Sequence, residues 1–148
     1  MLLAPESHRR LEAFFRLHLR DEGLRLPRVR FYAGRVARVL TRTLRIGAIT
    51  FGGRVFVAPG LLRRGADGRL TLPADLAAHE TAHVLQYERA GVVPFLFLYL
   101  RDYARALGRG TGRARERHRA AYSAIGFEAE ARAAAEGYLA WRASAGAG

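Results

Sequence analysis

The helix read over Pro73 to Ala90 constrains this chain most. Its centre, Ala78-His79-Glu80-Thr81-Ala82-His83-Val84-Leu85-Gln86, sets two imidazoles four residues apart, with Leu76, Ala77, Val84 and Leu85 making the surroundings apolar. Side chains at i and i+4 stand one above the other on a helix, so both rings face the same way. The apolar neighbours place them partly inside the protein, where unpaired imidazoles are costly and one shared metal ion satisfies both. Glu80, one residue on, is turned about 100° from His79 and can address a metal-bound water without taking a coordination position. Because a metal lowers the pKa of that water towards ~7, a carboxylate can take its proton at neutral pH and deliver it to a leaving amine. The spacing therefore predicts zinc on His79 and His83, and Glu80 as general base and acid in peptide hydrolysis. The bland alternative is a helix carrying two histidines by accident.

Composition narrows the rest. With 148 residues and 50% hydrophobic content, the chain is long enough for one domain with a real core, read here as residues 1–141 followed by a flexible tail over 142–148. The longest apolar run, Val92 to Leu100, is about half of the ~20 residues a membrane-spanning helix needs. It is expected as a buried helix, with peripheral contact to a membrane surface or a wall for a greasy substrate as alternatives. The first ten residues lack a long apolar stretch, so no secretory signal is read and a cytoplasmic chain is expected. The absence of Cys excludes disulfides, thiol catalysis and cysteine-held metal. The net charge of +12 comes from 25 Lys plus Arg against 13 acids, and every one of those cations is Arg. They are spread along the chain without interleaved stacking aromatics, so no specific nucleic-acid partner is expected.

The element order reads as α+β. An amphipathic helix runs from His8 to Arg20 behind Ser7 as cap, then a half-buried strand around Val29 and Phe31, then a helix from Val36 to Leu44. Ala48 to Phe51 and Arg54 to Ala58, joined by Gly52-Gly53, form a β-hairpin whose free edge could hold an extended peptide. Leu61 to Leu72 reads as a polar loop. The motif helix ends at Gly91, another starts at Pro94, and helices over Arg113–Ser123 and Phe127–Trp141 follow a glycine-rich connector. His118, Asp102, Glu128 and Glu130 are the candidates for a third metal ligand. Glu128 shares its face with Ala131 and Ala135, and Glu130 has Ala133 and Ala134 near it, so small neighbours do not choose between them. Tyr122 and Tyr138 could stabilise an oxyanion but read first as packed aromatics. His8 and His18 read as solvated, and Trp141 as an anchor.

Four segments together resemble a known family: Val29-Arg30-Phe31, Ala48-Ile49-Thr50-Phe51-Gly52, Val55-Phe56-Val57-Ala58-Pro59-Gly60, and Leu76 through Gln86. In this order, over about residues 24–90, they look like a bacterial family of zinc-metallopeptidase-like domains of unknown function. That family also occurs as a core domain in proteins associated with extracellular contractile injection systems. The resemblance implies a minimal zincin-like fold, with a small antiparallel or mixed sheet and the motif helix packed beneath its edge. It also implies export by a dedicated injection system as a route out of the cytoplasm. Further on, Phe127-Glu128-Ala129-Glu130-Ala131-Arg132 is similar to the Glu-x-x-Ala-Asp segment of gluzincin peptidases, which implies Glu128 as third ligand. Removing Glu128 is then expected to weaken zinc binding, and removing Glu130 to change little. Arg132 stands where those peptidases have Asp, so their contact from that Asp to a ligand histidine cannot be carried over. The expected function is a zinc-dependent metallopeptidase acting on a peptide or protein. Its rival is a non-catalytic zinc-binding docking or cargo module.

Overall fold

A computed structural model of the chain describes residues 3–44, 46–64, 70–109 and 126–145. Helix α1 (Pro5–Leu19) starts three residues before the expected His8, because Pro5 fits the first turn and Ala4 takes the cap position assigned to Ser7. Leu11, Phe14 and Phe15 form its buried side, and Arg20 closes it in the left-handed region at φ 52°.

Strand β1 (Arg30–Tyr32), helix α2 (Arg35–Leu44), strand β2 (Ala48–Phe51) and strand β3 (Arg54–Val57) follow. They build a mixed three-stranded sheet in the order β1-β3-β2, with β1 parallel and β2 antiparallel to β3. A parallel pair needs a crossover, and the chain through α2 supplies it. The β2–β3 hairpin turns on Gly52 and Gly53, and Gly52 takes the positive φ (53°) that a two-residue loop demands. Phe31, Val55 and Thr50 lie in one row across the three strands. Val29, Phe31, Val55 and Val57 form one apolar cluster with Val84 of helix α3 (Ala74–Ala90).

The expected loop over Leu61–Leu72 contains regular structure. Arg63–Arg64 (β4) pairs antiparallel with Leu70–Thr71 (β5), following a 3-10 turn at Pro59–Leu61. Pro73 caps α3 from outside rather than opening its first turn, and Gly91 ends it at φ 78°. Every residue from Ala77 to Tyr87 except half-exposed His79 is buried, as befits a helix with the sheet on one side and a second core on the other. That second core joins Leu11, Phe14 and Phe15 to Ala77, Ala78, Ala82 and Leu85 of α3 and to Ala131, Ala134 and Tyr138 of helix α5 (Gly126–Ala145). Facing alanines let α3 and α5 approach closely. Helix α5 continues four residues into the expected tail; residues 146–148 and the predicted helix over 113–123 lie outside the described residues.

Helix α4 (Val92–Arg109) corrects the reading of Val92–Leu100 as buried. Val93, Phe97 and Leu100 share one face and are 76%, 67% and 62% exposed. Helix α4 contacts α3 and, more lightly, α5, so only part of an all-round apolar run finds cover. Among the described residues no helix is long and apolar enough to cross a membrane.

Phe15, fully enclosed and edge-on to Phe14, has the largest of the completely buried side chains among the described residues. Phe15→Ala should cost about 3–5 kcal/mol, read as a drop in the denaturant midpoint with an unchanged slope.

Candidate metal centre

Helix α3 brings the His79 and His83 rings to within 4.8 Å of each other, centroid to centroid, with their Nε2 atoms 3.2 Å apart. Two facing ring nitrogens can share only one proton, so this arrangement invites a further positive partner. Glu128, in the first turn of α5 and 3% exposed, supplies the third side. Its Oε1 lies 3.4 Å from His83 Nε2 and its Oε2 lies 3.5 Å from His79 Nε2. Charge-assisted hydrogen bonds are shorter, about 2.7–2.9 Å. Donor atoms around a tetrahedral ion with bonds of about 2.0–2.1 Å, by contrast, stand about 3.3 Å apart, close to the separation of each histidine nitrogen from its nearer Glu128 oxygen. His79, His83 and Glu128 thus form a group that can hold a metal ion. Two imidazole nitrogens and a carboxylate also suit such an ion chemically.

The other candidates lie elsewhere. Asp102 pairs with Arg101 on α4 at 2.8 Å, and His118 and Tyr122 are outside the described residues. Tyr138 packs against Phe14 and Trp141, ten residues beyond Glu128. His18 is exposed and stacks on Phe14, while His8 is half-buried. Arg132 donates to the Glu128 carbonyl at 3.2 Å, a contact to the backbone of its own helix.

Sequence reasoning missed the role of Gln86. Its amide nitrogen donates to the Phe127 carbonyl and to a Glu130 carboxylate oxygen, both at 3.0 Å. Those two acceptors fix the amide so that its oxygen faces His83 Nδ1, at 2.8 Å. His83 must therefore donate from Nδ1, which leaves the Nε2 lone pair directed at His79 and Glu128. The signal was present in the spacing, because residues 79, 83 and 86 share one helical face. Glu130 does not join the ligand group; it holds Gln86, so its removal should not be silent as the sequence suggested.

Glu80, on the same helix, is held by the sheet rather than by the ligand group. It is 4% exposed, and Thr50 on β2 donates its hydroxyl to the Glu80 carboxylate at 2.6 Å. Burial pushes the His83 pKa down, but the neighbouring Glu128 carboxylate, the charge of Glu80 and the Gln86 contact outweigh it. The net pKa stands above the usual 6.5. Glu80 is therefore near enough for its charge to be felt at His83 while standing outside the ligand group.

Residues 6–91 match the eCIS core domain. The chain belongs to that family. No protein of curated function and no solved structure shows significant similarity to it. In this eCIS core domain the matched segment runs from α1 to the end of α3, so it includes Thr50, His79, Glu80, His83 and Gln86. Glu128 and Glu130 lie beyond it, and their placement rests on the geometry of α5 alone.

Two expectations follow for this eCIS core domain. Gln86→Ala should weaken metal binding about 10-fold or more while leaving one site per chain, with Glu130→Ala giving a smaller loss in the same direction, read by competition with a chromophoric chelator. The raised His83 pKa sets the pH response. In the metal-free chain the protonated ring contributes stability that is full below 6.5 and lost as pH rises through the raised folded value. A metal competes with that proton for Nε2, so its effect has the opposite sign. The metal-induced increase in Tm should therefore grow as pH rises through this window. A constant increase across it would contradict the arrangement.

Proposed function

We propose that this eCIS core domain is a zinc-dependent metallopeptidase. The observation that carries the reading is the convergence of His79 Nε2, His83 Nε2 and the Glu128 carboxylate, with the nitrogens 3.2 Å apart and each 3.4 to 3.5 Å from its nearer carboxylate oxygen, and a second buried carboxylate, Glu80, near enough for its charge to act on His83. Zinc bound there supplies a Lewis acid that activates water near neutral pH. The chain's own residues do the rest. Gln86 keeps the His83 lone pair pointing inward, and Glu128 adds a negative charge to the donor set. Thr50 fixes one oxygen of Glu80, so the carboxylate is oriented to take a proton from the attacking water and return it to the leaving amine. Thr50 also ties that carboxylate to β2, which ends the sheet order and has no strand partner on its outer side among the described residues. An extended peptide adding to this edge would run beside Glu80, which favours a peptide or protein as substrate.

The test is a degenerate peptide library incubated with zinc-loaded protein and followed by mass spectrometry. Cleavage that stops on chelation and returns with zinc is expected. The rival reading, a docking or cargo module stabilised by its metal, draws on a family description that names a core domain rather than an activity. It gains if zinc binds and no peptide is cut.

A further inference from the structure

We propose that a cleft where α1, α3 and α5 meet binds a small ligand through a phosphate or carboxylate group. The cleft is separate from the metal centre, since Tyr138 lies about 15 Å along α5 from Glu128. Its volume is about 330 Å³, and its polar lining includes Ser7, Arg10, Tyr138 and Arg142.

Tyr138 is 3% exposed, with its ring held between Phe14 and Trp141, yet its hydroxyl has no hydrogen-bond partner among the described residues. The hydroxyl itself is accessible, since among the described residues Thr81 Oγ1 alone is a buried side-chain polar atom without a partner, and with Tyr138 in the cleft lining it is free to donate to a ligand there. Burial raises its pKa against the opposing charges of Arg142 and Arg10, so the phenol stays a protonated donor. The Arg142 guanidinium sits 5.9 Å over the same ring and has no acidic partner among the described residues. Arg10 is tied to Glu6 at 2.5 Å, so Arg10, Arg142 and Glu6 together leave one net positive charge in the lining. Both α1 and α3 begin here, at Ala4 and Pro73, and neither has a side-chain cap. Their unmatched first-turn N–H groups and positive helix ends add to the field. Planar guanidinium forks, a neutral phenol and helix N-termini are complementary to the oxygens of a phosphate or carboxylate.

Trp141, the single tryptophan of the chain, stacks on Tyr138 with centroids 6.0 Å apart, so its emission reports on the cleft. The full chain is titrated with inorganic phosphate and, separately, with succinate at fixed ionic strength, with chloride as the control. A saturable change with phosphate or succinate and none with chloride is expected, and the tighter of the two anions identifies the ligand group. Arg142→Gln should weaken binding at least about tenfold. Tyr138→Phe, which keeps the ring in place, should weaken it about three- to tenfold. His79→Ala should leave it unchanged. No saturable response to either anion overturns the proposal. So does a response that survives Arg142→Gln and Tyr138→Phe, or one that disappears with His79→Ala and thereby belongs to the metal centre.

Discussion

Zinc-loaded protein should carry about one zinc per chain after dialysis, and His79→Ala and His83→Ala should each carry none. The basis is the number of donors. Three side chains converge, the ion needs most of its coordination from them, and a single histidine with one carboxylate is a set that many surfaces offer without holding zinc. Glu128→Ala leaves both nitrogens and should weaken affinity by at least about 10–100-fold, the loss typical of even an indirect partner. Elemental analysis of the dialysed variants decides it. Full zinc content in both histidine variants would remove the centre from where the geometry puts it.

The second large effect is kinetic. Glu80→Gln should fold, keep its zinc and lose about 10²–10⁴-fold in the rate of peptide cleavage. The amide is nearly isosteric and can still accept from Thr50, so the buried position remains hydrogen-bonded. What it cannot do is take up a proton. Cleavage of a library peptide at the parental rate by this variant would exclude Glu80 as the proton carrier. Loss of zinc by Glu80→Gln would instead place the carboxylate among the ligands, contrary to its contact with β2.

Much of this arrangement is legible in the sequence because it is local. Histidines at i and i+4 on an apolar helix, a Gly-Gly hairpin and a helix around Glu128 each follow from spacing alone. The strand pairing is not local. Nothing in Arg30–Tyr32 says that it will lie parallel to Arg54–Val57 rather than beside Ala48–Phe51. The β4–β5 ladder is only two residues long on each side, too short to leave a periodic trace. Gln86 shares the histidines' face, but its function requires Phe127 and Glu130, 41 and 44 residues away. Pro5 and Arg142 to Ala145 were underestimated because a proline and a run of small residues read as ends, although both are compatible with helix. The exposure of Val93, Phe97 and Leu100 shows the same limit from the other side, since an apolar run records a need for cover and not whether neighbours provide it.

The placement of Glu128 outside the family match has a consequence for the unfolded chain. His83 and Glu128 are separated by 45 residues of sequence, and an ion held between them closes that loop. In the chain-entropy description of a cross-link, closing a loop of this length removes freedom worth about 4 kcal/mol from the denatured ensemble. With an ion bound there, a protein without a single cysteine would have a reversible equivalent of a disulfide, opened by chelation or acid rather than by a reductant, fastening α5 to the segment that carries the family match.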